Sequence, residues 1–404
     1  MVGTRAWSVK RASTYSGAVH PTLLAVQRLA PLVRDLADAC ERERALPSRL
    51  HLALAEAGVY RMLIPSVAGG DGVPLPVALR VVETLATADG SVGWCAAIGS
   101  GTQRFGAFLE PEVAAATVWA DPTAVSAGVF APSGRARATE DGYLVSGRWT
   151  FASGCRHAAW FFGNCVLYDG DTPLTDPEGE RCVRMVAVPI EQVRIHDTWR
   201  VAGLRGTGSH DVEIDGIRVP AERAFRLGAD PSRVSDTLAA FPFLAFLDAY
   251  LAVVVTGIAR GALDAVTDGM AARAAGPGGD VASLPGTIAF ELGRLEGALG
   301  AARAALFGSV DAVWARVSSD GEAAPGDQLA VVSACQHAVR SGREVVSRAF
   351  MLGGVRGLFE DHPLQRALRD VHAAGLHAQF RHDRSAQVGR ELVAAAIARR
   401  GAGA

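Results

Sequence analysis

Apolar residues recur along this chain with two different periods. From about Thr22 to Ala116 they return every three or four positions, as in Leu23, Leu24, Val26, Leu29, Leu32, Val33, Leu36 and Ala37, the spacing of helices that bury one stripe. Pro47 opens a second helix after Leu46, the Gly69-Gly70-Asp71-Gly72 cluster forces a turn, and a further helix is predicted from Val77 to about Ala88. Between Gly90 and Gly101 the residues around Trp94 are mostly small, which lets backbone approach a neighbour closely. Near Asp121 the period falls to two. Val125, Ala127 and Val129, then Tyr143, Val145, Trp149 and Phe151, alternate with polar neighbours, so strands are predicted from there to Arg223. Asp141-Gly142, Asp169-Gly170 and Asp215-Gly216 are the turn signals between them. From Ser235 onward helices return, over Leu251 to Val266, Thr287 to Val313, Gln328 to Leu352 and Pro363 to about Arg399, with loops at Gly276 to Gly279 and Ser318 to Asp327.

This order predicts a mainly α chain with a central β domain: an N-terminal arm over 1–20, a helical domain over 21–117, a strand domain over 118–224 and a helical bundle over 225–404. A length of 404 residues with 49% apolar content supports a large core. The net charge of -2, with both signs scattered, excludes the one-sided basic surface that nucleic acid selects. The run from Phe241 to Ala259 nears membrane-span length but contains Pro242 and Asp248, so a helix buried in a bundle is expected. Six cysteines without a Cys-x-x-Cys pair and an N-terminus without an apolar leader predict a cytoplasmic protein with reduced thiols.

Several chemistries are poorly served. Gly206-Thr207-Gly208-Ser209 begins like a nucleotide-binding turn but lacks the third glycine and runs into a strand. His372, His377 and His382 are five apart, about 140° around a helix, so they do not share the face a zinc helix needs. No Gly-x-Ser-x-Gly elbow supports a hydrolase.

The segment Gln365-Arg366-Ala367-Leu368-Arg369-Asp370-Val371-His372-Ala373-Ala374-Gly375-Leu376-His377, with Gly353-Gly354 before it, resembles the last catalytic segment of the acyl-CoA dehydrogenase superfamily. The stretch Glu140 to Gly154 resembles the family's hairpin behind the flavin. Leu204 to Val212 with Ile217 to Pro220 resembles its paired strands leaving the barrel, and Gly257 to Asp264 with Arg273 its helix that reaches a neighbouring subunit's flavin. The resemblance covers nearly the whole chain and implies an N-terminal helical domain, a middle β-barrel and a C-terminal four-helix bundle, assembled as a homotetramer. In the dehydrogenases the segment continues to Ile-Tyr-Glu-Gly-Thr, and counting from Asp370 puts Ala378 at the position of the proton-abstracting Glu. The adjacent His377 looks like the flavin-dependent monooxygenases built on this fold.

The resemblance therefore implies the oxygenase component of a two-component system. Reduced FAD or FMN arrives from a separate flavin reductase, reacts with O2 to a C4a-hydroperoxide, and an aromatic or polycyclic substrate is hydroxylated. His377 is expected as base or orienter on one helical face with Asp370 and Ala374, and Ser153 near the flavin N5. Trp149, Thr150, Phe151, Gly154, Arg273, Gly353 and Gly354 are the further expected flavin contacts, and Trp94 and Gln103 line the substrate pocket. Trp149 and Phe151 have barrel core as their plain alternative, and Ser153 a turn. Several relatives carry a second histidine after the Gly-rich helix, where this chain has Gly101-Thr102-Gln103-Arg104-Phe105. Heteroatom oxygenation is the alternative on the same fold, and an acyl-CoA dehydrogenase or oxidase would need its base elsewhere, such as Glu291 or Glu296.

Overall fold

The computed structural model describes residues 19–275 and 280–401; the arm expected over 1–20 lies almost wholly outside them, as does the Gly276 to Gly279 loop. Five helices come first, α1 (Pro21–Glu43), α2 (Ser48–Glu56), α3 (Leu75–Ala88), α4 (Gly90–Gln103) and α5 (Pro111–Ala116). The small-residue stretch around Trp94 is itself a helix, α4, buried on nearly every side, which explains why no stripe shows in its sequence. Its glycines admit the neighbours: a methyl on Gly93 would come within 2.4 Å of Ala86 in α3.

Eight strands follow, β1 (Ser126–Ala138), β2 (Gly142–Ala152), β3 (Trp160–Asp169), β4 (Thr172–Pro173), β5 (Val183–Pro189), β6 (Arg194–His196), β7 (His210–Pro220) and β8 (Ala224–Phe225). They form one sheet in the order β6-β7-β2-β1-β3-β5-β8, with β4 on β3, antiparallel except for β1 beside β3. The expected barrel is not closed by hydrogen bonds, since β6 and β8 do not pair with each other among the described residues. The sheet instead curls until β5 approaches β7, and Trp149, Phe161, Cys165, Val186, Val212 and Ile214 fill the space inside. Asp215-Gly216 is a bulge within β7, not a turn: the register against β2 slips between Val145 and Gly147, and Gly216 takes a φ of 66°.

The chain ends in α6 (Phe243–Ala274), α7 (Gly286–Asp320), α8 (Asp327–Gly353), α9 (Pro363–Ala374) and α10 (His382–Gly401). α6 is apolar all round because it is the central helix of the fold, with 78% of its most apolar window buried. Its Asp248 is buried against Arg384 at 3.1 Å, and burial pushes the carboxyl up to about 6. The N-terminal helices and the bundle share one core running from Val26 to Ala374. Gly257 and Gly261 let α6 lie directly on Ala86 and Thr87 of α3, while Arg303 of α7 forks onto Glu83 of α3 at 2.6 Å. The last predicted helix is broken: α9 stops at Ala374, and residues 375–381 form a bend with a short 3-10 turn, Ala378–Phe380.

Candidate active site

Three expected residues from distant parts of the chain meet where α4, the end of β2 and this bend converge. The Trp94 indole N–H donates to the Ser153 hydroxyl at 3.1 Å, and the Trp94 ring meets the His377 ring edge-on, with centroids 5.6 Å apart. Trp94 and Ser153 are only 6% and 7% exposed. The Ser153 hydroxyl also lies 2.7 Å from that of Ser209, which lies 2.7 Å from that of Thr207, which donates to the Leu204 carbonyl at 2.7 Å. An indole only donates and a carbonyl only accepts, so the arrangement that satisfies every group has one direction: Trp94 to Ser153 to Ser209 to Thr207 to Leu204. Reversing the Ser153–Ser209 bond frees the Ser153 proton for a ligand while Ser209 still has a partner. Neither Thr207 nor Ser209 was picked out for chemistry in the sequence, because they sit in what looked like a failed nucleotide turn.

His377 does not stand on a helical face with Asp370 and Ala374, because α9 has already ended; it caps the turn that follows. Its Nδ1 accepts the Gln379 N–H at 3.3 Å, so the neutral ring carries its proton on Nε2. Burial, with the Arg381 charge adding to it, holds the imidazole down to about 4, and the ring is neutral at physiological pH. In this arrangement Nε2 is a hydrogen-bond donor.

Phe151 has a φ of 64°, a strained region for an aromatic residue, and is 68% exposed. Its ring meets Trp199 edge-on at 5.9 Å, and Trp199 in turn donates to the Leu204 carbonyl at 3.0 Å. Thr150 is exposed beside it, and the Gly154 N–H donates to the Thr207 carbonyl at 2.9 Å. An aromatic shelf next to a buried string of hydroxyls suits a flat, polar-edged ring system such as a flavin.

Other expected residues are placed differently. Trp149 is fully buried inside the curled sheet, donates to the Asn164 carbonyl at 2.8 Å and packs where Gly134 and Gly163 leave room, so it is core and not a wall of the site. Gln103 has both ends engaged within the protein, its amide donating to the Ala124 carbonyl at 2.7 Å and its oxygen accepting from Ser126 at 3.4 Å, so it presents nothing to a substrate. Arg273 is exposed in the last turn of α6, and Gly353 and Gly354 close α8 with a φ of 67° at Gly354. None of these three hydrogen-bonds to Trp94, Ser153 or His377. Glu291 pairs with Arg294 within α7, and Glu296 of α7 pairs with Arg260 of α6; neither hydrogen-bonds to Trp94, Ser153 or His377. A cavity of about 330 Å³ lies beyond the far end of α4, lined by Arg104, Phe108, Phe241, Phe243 and Phe246. It includes none of the expected site residues.

Residues 249–382 match the family described as Acyl-CoA dehydrogenase, C-terminal domain. The match and the order of helices, sheet and bundle define a chain of acyl-CoA dehydrogenase architecture. Indole-3-acetate monooxygenase of Acinetobacter baumannii is 31% identical over 326 residues, covering 80% of this chain and 82% of that protein. The oxygenase component of the FADH(2)-dependent resorcinol hydroxylase of a Rhizobium species is 32% identical, covering 89% and 90%. The crystal structure of 3-HSA hydroxylase from Rhodococcus sp. RHA1 superposes with a TM-score of 0.86 at 25% identity, covering 93% of this chain and 97% of that one. The chain belongs to this family of flavin-dependent monooxygenases.

Proposed function

We propose that the chain is the oxygenase component of a two-component system that hydroxylates an electron-rich aromatic compound, with reduced FAD delivered by a separate reductase. The observation that carries this is the Ser153–Trp94–His377 assembly, which joins a buried hydroxyl to a neutral imidazole through one indole ring. The names of the relatives supply the substrate class and the reduced FAD. Reduced flavin and dioxygen, when bound, supply the oxygen atom that is transferred.

The protein's own groups bind, orient and exclude water. Phe151 and Trp199 offer the shelf, Ser153 offers a hydroxyl whose proton turns toward a ligand when Ser209 takes over the bond behind it, and Trp94 closes the pocket. His377 directs its Nε2 proton at a substrate oxygen and holds a phenolate-like ring in position. Taking a proton at Nε2 would require His377 to shift its own proton to Nδ1 and give up the Gln379 bond, so orientation is favoured over base catalysis. Arg273 and the Gly353-Gly354 turn would complete the flavin site across a subunit boundary in a homotetramer. Met351, Val355, Leu358 and Phe359, all at least 66% exposed after or at the end of α8, supply an apolar surface for such an assembly. The six free cysteines fit a cytoplasmic setting.

The test is a pair of reactions. Oxygen-dependent product from a phenolic or indolic ring, with chemically reduced FAD and no reductase, supports the reading. Anaerobic bleaching of the flavin by a fatty acyl-CoA, with no oxygenated product in air, would overturn it.

A further inference from the structure

Two buried carboxyl groups, Asp89 and Asp370, sit where the walls of the site are joined. Asp89 ends α3 and caps α4, the helix of Trp94, its Oδ1 accepting the Val92 N–H at 3.0 Å. Asp370 belongs to α9, and its Oδ1 accepts the Leu204 N–H at 2.6 Å. Leu204, with a φ of 53°, begins the segment that carries Thr207 and Ser209 to Ser153. A methyl on Gly203 would lie 2.1 Å from the Arg369 carbonyl oxygen, and one on Gly90 would lie 2.9 Å from Asp370 Oδ2. The second Asp370 oxygen is therefore against the first residue of α4, next to Asp89, and the two side chains belong to residues 1% and 5% exposed.

The surrounding charges do not neutralise both. Arg366 of α9 approaches Asp89 at 3.7 Å but also holds Asp38 of α1. Arg369 forks onto Glu41 of α1 at 2.9 and 2.7 Å and donates to the Ala202 carbonyl. The thiols near Asp89, Cys40 of α1 and Cys95 of α4, are pushed up by burial so that they stay protonated. A second buried anion here would lack a cation of its own, a costly state.

We propose that Asp370 is a positioning residue that shares one proton with Asp89, and that losing this proton sets two buried anions against each other and separates α9 from α4. The step is a proton release to solvent from one carboxyl group, with no bond to the substrate. Burial first, and the Asp89 charge second, push Asp370 up to about 8, and burial raises Asp89 as well, so the pair gives up its shared proton in the alkaline range. Above that range the repulsion falls on the contact between α9 and α4, Trp94 of α4 moves relative to Ser153, and oxygen transfer gives way to hydrogen peroxide.

Asp370→Asn is the informative variant, because an amide keeps an oxygen for the Leu204 N–H and has no proton to lose. In the wild type the hydrogen peroxide share should rise several-fold from pH 7 to pH 9; in Asp370→Asn the ratio between the two pH values should stay near one. The flavin-free protein gives a separate readout. An infrared band of a protonated carboxyl should disappear as pH rises through about 8, should be absent in Asp370→Asn, and should titrate at lower pH in Asp89→Asn. A wild type with no carboxyl band titrating between pH 7 and 9, or an Asp370→Asn enzyme with the wild-type pH dependence, would overturn the proposal. Should Asp370→Asn not fold, the wild-type band and its shift in Asp89→Asn decide. The infrared result is independent of substrate and flavin, so it separates failure of this inference from failure of the functional reading.

Discussion

The indole N–H of Trp94 lies 3.1 Å from the hydroxyl of Ser153, and this one bond ties the helix of the N-terminal part to the strand that ends at the site. Trp94→Phe keeps an aromatic edge against His377 but removes the donor. The expected cost is about 1 kcal/mol, the net worth of a typical hydrogen bond, measured by urea unfolding, with a larger hydrogen peroxide share during turnover. A variant as stable and as well coupled as the wild type would show that the bond is incidental.

Ser153→Ala interrupts the hydroxyl string and leaves the buried Trp94 donor without its acceptor. The loss should be roughly 1 to 3 kcal/mol, the range for an unsatisfied buried polar group. Ser209→Ala should cost less, because Ser153 keeps Trp94 and Thr207 keeps the Leu204 carbonyl. Weaker binding of reduced flavin in Ser153→Ala than in Ser209→Ala, by fluorescence titration under anaerobic conditions, would accompany the difference in stability.

His377 makes a signed prediction about pH. Its folded value, about 4, is below the ordinary histidine value, so the unfolded chain binds the proton first. Stability from this group is present above about pH 6.5 and is lost as pH falls toward 4. The melting temperature of the wild type should therefore fall more steeply than that of His377→Asn from pH 6.5 to 4. For turnover, His377→Ala should lower product formation by roughly 10²- to 10³-fold, as for one lost positioned hydrogen-bond donor, with hydrogen peroxide released instead. The wild-type rate should show no histidine limb between pH 6 and 9.

The exposed apolar turn after α8 predicts assembly. Val355→Glu combined with Phe359→Glu should reduce the mass measured by light scattering from a tetramer to smaller species, with weaker flavin binding if Arg273 serves a neighbour. A wild-type monomer at micromolar concentration would remove the reason for placing Arg273 in a partner's site.

Most of the fold was legible because periodicity survives wherever an element has one buried face, as in α1 with Val26, Val33, Ala37 and Cys40 inside. It failed where burial is uniform. α4 is enclosed on all sides and showed only small residues, and Trp149 read equally as core or as a wall because a strand's two faces look alike when both are covered. The bulge at Asp215-Gly216 carried the dipeptide of a turn, since both need a residue at positive φ. Among the proposed site residues, Ser153 and His377 are legible only through their place in a familiar order of segments, and Trp94 through the small residues around it. The hydroxyl string through Ser209 and Thr207, the edge contact of Phe151 with Trp199, and the Asp89–Asp370 meeting depend on residues far apart in sequence brought together by packing.

The central claim is oxygen transfer from dioxygen to an aromatic ring at this site, and isotope labelling tests it most directly. The purified chain, chemically reduced FAD and an electron-rich phenol or indole are mixed under ¹⁸O-labelled dioxygen in ordinary water, and the product is weighed by mass spectrometry. The account predicts one labelled oxygen atom per hydroxylated product, with His377→Ala giving little product and abundant labelled hydrogen peroxide. Product carrying oxygen from water, or dehydrogenated product with no new oxygen, would contradict it.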